Sequence, residues 1–297
     1  MQTAELLKRK IKTAEDLHSV VKTMKALAAV NIRQYEKAVE SLTEYNRTIE
    51  MGLRILLRKR PEALALVKPE PTNLLGVIVF GSDQGMCGQL NDQIVSHAME
   101  TINDLGVKQG NRFALAVGLR VAARLEDAGQ AVEKRLSIPG SIAGITPMVQ
   151  EIVMIIEEWH SQRKINRINL FFNEHLSGAS YRPHALRLWP VDLEWLQNLE
   201  KREWPTRSLP TFTMGWNRLF SLLIRQYLFV SLYRAFAESL ASENASRLAS
   251  MQGAERNIEE RLRELNAQFH QQRQMSITEE LLDIVAGFMA LMHRKDN

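Results

Sequence analysis

The stretch LHSVVKTMKALAAVNIRQYEKAVESLTEYNRTIEMGLRILL, residues 17–57, decides the fold. Val21, Ala28, Tyr35, Leu42, Ile49 and Leu56 recur in it every seven residues, with Leu17, Met24, Ile32, Val39 and Leu53 at the intervening steps of three or four. This spacing lines apolar side chains along one stripe of an α-helix and predicts a coiled-coil seam. Nothing in the stretch breaks a helix. None of the nine prolines lies before Pro61 or after Pro210, and a proline inside a helix costs about 3 kcal/mol. Two flanks, 1–60 and 211–297, are therefore predicted to be very long helices.

The C-terminal flank repeats the pattern. Val230, Ala237, Asn244, Met251, Ile258 and Leu265 form one row, and Leu248, Leu262 and Phe269 fill the other. Asn244 is a polar interruption that either sets register within the seam or faces outward. At about 1.5 Å per residue, helices of about 50–75 residues would reach roughly 75–110 Å. The expected arrangement is an antiparallel pair protruding from a compact base. The alternative, several shorter helices packed as a bundle, needs breaks that the sequence hardly supplies.

The middle of the chain reads differently. Leu74 to Gly81, Arg112 to Gly118, Arg167 to Asn173 and Pro183 to Trp189 are short apolar or alternating runs bounded by turn residues, as strands are. Asp92 to Leu105, Leu119 to Ala128 and Pro147 to Trp159 have helical spacing, with Thr146 as the expected cap before Pro147. The alternation predicts an α/β layer with a largely parallel sheet. The organisation expected is a helix over 1–60, an α/β domain over 74–192 and a second helix over 211–297, with boundaries near 60–73 and 190–212.

Composition narrows the function. At 45% apolar and 24% charged residues, the chain is neither disordered nor fibrous, and a formal charge of +4 is too small to mark a nucleic-acid binder. The positive excess is local: residues 1–60 carry a net +6, residues 61–210 a net −2, and residues 211–297 balance. A basic helix is either a solvated face or a match for an acidic partner. Cys87 is the sole cysteine, so neither an intrachain disulfide nor a cysteine-based zinc site can form. The longest apolar run, Leu74 to Phe80, falls far short of the ~20 residues of a membrane span, and no direct span is expected.

Catalytic chemistry is not evident. Gly81 to Asn91 (GSDQGMCGQLN) follows a strand and precedes a helix, yet lacks the Gly-Lys-Ser/Thr ending of a phosphate loop and the dinucleotide glycine spacing. It reads as a tight turn in which Asp83 or Asn91 caps backbone amides. Cys87 has no base at a telling spacing and reads as a small packing residue. His18, His97, His160, His175, His184, His270 and His293 show no paired ligand spacing, so neither a metal nor a cofactor is expected.

Three stretches together resemble the gamma subunit of F-type ATP synthases, the central rotor shaft. The first is Leu17 to Ala29 (LHSVVKTMKALAA), with its Met24-Lys25 pair. The second is Ser82 to Asn91, similar to the family's Ser-Asp-Arg-Gly-Leu-Cys-Gly-x-x-Asn. The third is Ala241 to Met251 (ASENASRLASM), followed by Asn266, Arg273 to Thr278 (RQMSIT) and Glu280-Leu281. Gln84 and Met86 depart from the loop pattern, and Thr23 and Ala26 from the first, which suggests a divergent branch similar to the sodium-type bacterial ATPases. No paired-cysteine redox insertion is present.

The resemblance implies an antiparallel coiled coil of the two terminal helices standing on a Rossmann-like α/β foot. It implies a non-catalytic shaft turning inside a ring of alpha and beta subunits, with the foot on the membrane c-ring beside epsilon, peripheral to the cytoplasmic side of a bacterial plasma membrane. Ion flow would thereby be coupled to ATP synthesis or hydrolysis on beta. It places Met24 and Lys25 near the acidic lever of beta, and Asp83 and Cys87 on an exposed turn of the foot below that lever. Arg247 falls within the C-terminal motif, and Arg273, Gln274, Thr278 and Glu280 match a polar cluster on the upper shaft. The run Leu281 to Met292 is either core of the coil or a tip in an apolar sleeve. Two other readings remain open: a non-rotary scaffold, and an α/β nucleotide enzyme with helical arms whose site is not found.

Overall fold

The computed structural model describes residues 4–60, 73–202, 204 and 210–293. The expected linker at 60–73 and part of the boundary at 190–212 lie outside the described residues. The elements are α1 (Ala4–Lys59), β1 (Leu75–Phe80), α2 (Leu90–Asp104), β2 (Arg112–Val117), α3 (Leu119–Asp127), β3 (Val132–Leu136), α4 (Ile145–Arg163), β4 (Ile168–Ser177), β5 (Ser180–Trp189), α5 (Leu193–Lys201) and α6 (Trp216–His293). The chain divides into two compact units, one of residues 1–27 with 249–297 and the other of residues 28–248.

Residues 28–248 hold a five-stranded sheet in the order β3-β2-β1-β4-β5. β1 pairs in parallel with both β2 and β4, and β2 with β3. β5 returns antiparallel to β4 through a tight hairpin. Period-two alternation gives the central strands two apolar faces, and each face is covered. On one, Val77, Val79, Ala114 and Ala116 meet Ile94, Ala98 and Ile102 of α2 and Val121 and Leu125 of α3. On the other, Ile78, Phe80, Leu115 and Val117 meet Ile145, Val149, Ile152 and Trp159 of α4. That second face also receives Leu232, Phe236 and Leu240 of α6 and Tyr35 of α1. Phe236 stands edge-on to Phe80, with ring centroids 4.7 Å apart.

α6 thus serves both as one strand of the coil and as a covering helix of the sheet. In this unit, residue numbers that rise along α1 meet falling numbers along α6: the Asn31 amide donates to Asn244 (3.3 Å), Tyr45 to Gln226 (3.0 Å), and the Trp216 indole to the Leu56 carbonyl (3.0 Å). The pairing is antiparallel, as expected. Asn244 is buried and donates to the Leu240 carbonyl (2.8 Å), so the polar interruption lies inside the packing. Ile49, Leu53 and Leu57 pack with Val191, Leu196, Leu199 and Ile224 in a further core near the start of α6.

In the unit of residues 1–27 and 249–297, Leu7, Val21, Met251 and Leu265 are buried. Here too the helices run antiparallel, with Lys25 paired to Glu255 and His18 facing Glu255 and Glu259. Leu17, expected in the seam, is 53% exposed, because His18 takes the inward position beside it.

Three expectations are corrected. β3 and α5 have no counterpart in the sequence reading. β3 (VEKRL) is an edge strand paired only with β2, and its charged residues suit an edge exposed to water. α4 begins at Ile145 rather than Pro147, its N-cap position is Gly144, and Thr146 lies within the first turn and caps nothing.

Candidate functional site

The glycine-rich turn Gly81 to Asn91 sits where β1 ends, and its polar groups are used locally. Asn91 accepts from the Ser82 amide (2.9 Å) and donates to the Ser82 hydroxyl (2.8 Å). Asp83 accepts from the Leu119 amide (2.7 Å), the first residue of α3, and from the Ile138 amide (2.8 Å) just after β3. A carboxylate at a helix N-terminus satisfies an unpaired amide and suits the helix dipole. The expected capping by Asp83 and Asn91 is therefore observed. Gly118, at φ +120°, lies so close to Ser82 that a Cβ would come within 2.8 Å of its carbonyl oxygen, which only glycine permits.

Cys87 is not on an exposed turn. It is 2% exposed, its Sγ is 3.4 Å from the Ser82 hydroxyl, and its carbonyl accepts from the Ser246 hydroxyl of α6 (2.6 Å). The positive φ of Met86 and Gly88 (63° and 54°) folds the turn so that Met86, 56% exposed, takes the outer position. The physical reason is that the Ser246 hydroxyl of α6 holds the Cys87 backbone carbonyl, while the thiol turns inward among Ser82, the Gln84 carbonyl and Asn91.

That stretch of α6 is unusual in being buried on every side from Ala235 through Ser246. A helix flanked by a sheet on one side and another helix on the other must carry small or internally paired residues, and ASENAS supplies both. Ser242 donates to the Asn173 carbonyl of β4 (2.9 Å), and Tyr181 of β5 lies 3.4 Å from the Ser246 hydroxyl. Glu243 and Arg247 pair one turn apart, with side chains only 7% and 13% exposed. Burial pushes the Glu243 carboxyl up, Arg247 pulls it back, and the nearby Asp83 adds to the rise. Arg247 is thereby committed within the chain. Glu238 repeats the device with Arg234 (2.6 Å), and burial again raises the carboxyl. Neither glutamate was singled out in the sequence; the signal was a Glu and an Arg four residues apart, in either order, on a helix with no polar face to spare.

A cavity of about 460 Å³ lies between α1, α6 and the β4–β5 hairpin, with Glu50, Glu174, His184 and Arg234 on its wall. Its charges are matched within the chain: Glu174 by Arg182 (2.6 Å), Glu50 by Arg202 (3.6 Å), and Arg234 by Glu238.

The other sites expected from the sequence lie in the unit of residues 1–27 and 249–297. Met24 and Lys25 are half-buried, and Lys25 is engaged by Glu255 of the same chain. Arg273, Gln274, Thr278 and Glu280 are exposed on α6, where the Thr278 hydroxyl donates to the Gln274 carbonyl (2.9 Å). Around and beyond them Ile277, Leu281, Leu282, Ile284, Val285 and Met289 are exposed, Ile284 by 68%. For the described side chains of Leu281 to Met289 this removes the coil-core reading; the side chains of residue 288 and of residues 290–292 lie outside the described residues. Among the described residues no helix is long and apolar enough to cross a membrane.

The family model for ATP synthase matches residues 3–291, nearly the entire chain. The chain belongs to the ATP synthase family. Among curated relatives, the ATP synthase gamma chain of a Polaromonas species is 25% identical over 293 residues, covering 98% of this chain and 100% of the relative. That of Bacteroides fragilis is 25% identical over 298 residues with the same coverage. Solved structures of the family share the fold. A chain from the Euglena gracilis mitochondrial ATP synthase (OSCP/F1/c-ring, rotational state 3) matches with a TM-score of 0.62 at 16% identity, over 99% of this chain and 96% of that one. A chain of the Tetrahymena thermophila mitochondrial ATP synthase central stalk and c-ring matches with a TM-score of 0.56 at 18% identity, over 79% of this chain and 99% of that one. The terminal helices and central α/β sheet described above are thus the architecture of central-stalk chains in this family.

Proposed function

We propose that this chain is the central rotor shaft of an F-type ATP synthase, coupling ion flow through a membrane c-ring to ATP synthesis or hydrolysis on beta subunits by rotation. The shaft is made by the helices of 1–60 and 211–297, and the foot by residues 74–192. The observation that carries the reading is the burial of α6 from Ala235 through Ser246 between the sheet and α1. A shaft must pass torque to its foot without slipping. Here one helix belongs to both, and its hydroxyls are bonded to β4 and to the glycine-rich turn.

The chain is a non-catalytic subunit in this reading. Its phosphate-loop lookalike spends its donors and acceptors on its own fold: Asn91 on Ser82, and Asp83 on α3 and the segment after β3. Asymmetry is its contribution, since a shaft without threefold symmetry presents a different face to each of three catalytic sites and so biases each toward a different affinity. The alpha and beta ring would surround Met24, Lys25, Arg273, Gln274, Thr278 and Glu280. The basic excess of α1 favours an acidic lever of beta, and the exposed apolar end of α6 favours an apolar sleeve. The foot would rest on epsilon and the c-ring, peripheral to the cytoplasmic face of a bacterial plasma membrane.

The test is purification of the tagged full chain from cells that express its partners, with identification of what accompanies it. Alpha, beta and epsilon subunits in fixed proportion are expected. A homodimer free of them would favour the scaffold reading and overturn this one.

A further inference from the structure

We propose that His18 of α1 with Glu255 and Glu259 of α6 forms a binding site for a divalent transition-metal ion of the zinc type, which would staple the two helices together. One ligand atom from each of the three residues lies within 4.8 Å of the others. The His18 Nε2 is 3.5 Å from a Glu259 oxygen and 4.0 Å from Glu255 Oε1. A tetrahedral zinc ion with ligands about 2.1 Å away separates its ligand atoms by about 3.4 Å. The His18–Glu259 distance already fits, and the His18–Glu255 and Glu255–Glu259 separations, each within 4.8 Å, close with side-chain rotation.

Two further features point at a cation. The His18 Nε2 is shielded from solvent and makes no hydrogen bond, so a ring nitrogen faces two carboxylate oxygens with nothing between them. Glu255 and Glu259 stand one turn apart on a single helix, which aims both side chains at the same point on α1. Imidazole with carboxylates is a donor set that zinc accepts, and three protein ligands leave one position for water. No spacing in the sequence could show the site, because His18 is more than two hundred residues from the two glutamates.

The surroundings set its strength. Lys25 bonds Glu255 Oε2 and holds that carboxyl below the usual range, leaving Oε1 ionised and turned toward His18. Lys22 also faces Glu255. These two cations oppose a metal, so moderate affinity is expected rather than the grip of a zinc finger.

The experiment is calorimetric titration of the purified full chain with ZnCl2, together with the visible spectrum of the CoCl2-loaded chain. One ion per chain, a Co2+ spectrum of four-coordinate type and a raised melting temperature reversed by EDTA are expected. His18→Gln and Glu259→Gln should each weaken binding by more than about tenfold. Lys25→Met should strengthen it several-fold, a change that no structural defect would produce. Absence of saturable binding up to millimolar zinc overturns the site and leaves an ion pair only; binding that His18→Gln and Glu259→Gln leave unaltered also overturns it and assigns the ion to other residues. Circular dichroism of each variant shows whether a lost signal reflects a lost ligand or a lost fold, and a folded Glu259→Gln chain that still binds equally well counts against the proposal.

Discussion

Two segments of the same helix behave in opposite ways. From Ala235 through Ser246, α6 is buried on all sides, though ten of its twelve residues there are Ser, Glu, Asn or Ala. From Ile277 to Gly287, and again at Met289, it is exposed, though rich in Leu, Ile, Val and Met. Hydropathy alone would assign the burials the other way round. Close approach of helix to sheet requires small side chains and paired polar groups, whereas an apolar surface left bare within one chain requires a partner.

The sharpest way to break this comparison is to fill the buried segment. Ser246→Leu removes the hydroxyl that holds the Cys87 carbonyl and inserts a larger side chain where Tyr181 and the turn leave no room. A loss of about 3 kcal/mol is expected from overpacking and an unpaired carbonyl together. Calorimetry should show melting lowered by roughly 6–12 °C. An unchanged transition would mean that the helix is not clamped there.

Thiol labelling compares the inner and outer positions of the glycine-rich turn. Cys87 should react with a maleimide about 100-fold more slowly in the native chain than after denaturation, because the turn must open first. A Met86→Cys chain carrying Cys87→Ser should react at nearly the denatured rate. Equal native rates at the two positions would return Cys87 to the surface.

At the exposed end, substitutions should leave the fold alone and disturb the assembly. Gln274→Leu with Thr278→Val is expected to shift stability of the chain by less than about 0.5 kcal/mol. In an assembled complex it should lower ATP turnover several-fold, since each polar bond to a neighbour contributes about 1 kcal/mol. Arg273→Ala should be worse than either single change, because a guanidinium makes charge-assisted bonds. Steady-state ATPase activity at verified subunit stoichiometry is the readout, and wild-type rates would make the cluster a solvated face.

The smallest effect is a pH dependence. Burial raises the Glu243 carboxyl above 4.5, with Arg247 opposing. A carboxyl raised on folding binds its proton more tightly in the folded state, so stability improves as pH falls through the raised value toward 4.5. The difference in melting temperature between the native chain and Glu243→Gln should therefore shift in favour of the native chain on going from neutral to mildly acidic pH. A difference independent of pH would show that Arg247 compensates in full.

Much of the fold was legible because its signals are local. The proline-free flanks, the heptads through Tyr35 and Ile49, and the apolar runs at Leu75–Phe80 and Arg112–Val117 each report on backbone and burial within a few residues. The candidate sites were legible only as motifs. Asp83 and Asn91 were read correctly as caps, since short polar side chains in a tight turn bond nearby amides. Cys87 was misplaced, since which way a turn's side chains point depends on what packs against it.

By itself the sequence determined two long helices around an α/β layer, a glycine-rich turn between β1 and α2, and a basic N-terminal segment. Proline geometry, heptad period and charge are properties of neighbouring residues and need no partner to be expressed. Only the tertiary structure decided that α6 is a wall of the sheet as well as half of the coil, that Glu243 and Arg247 pair out of solvent, that β3 closes one edge, and that His18 meets two glutamates of the opposite helix. Those outcomes depend on contacts between residues far apart in the chain, where small side chains, buried charge pairs and edge strands carry no periodic signal of their own.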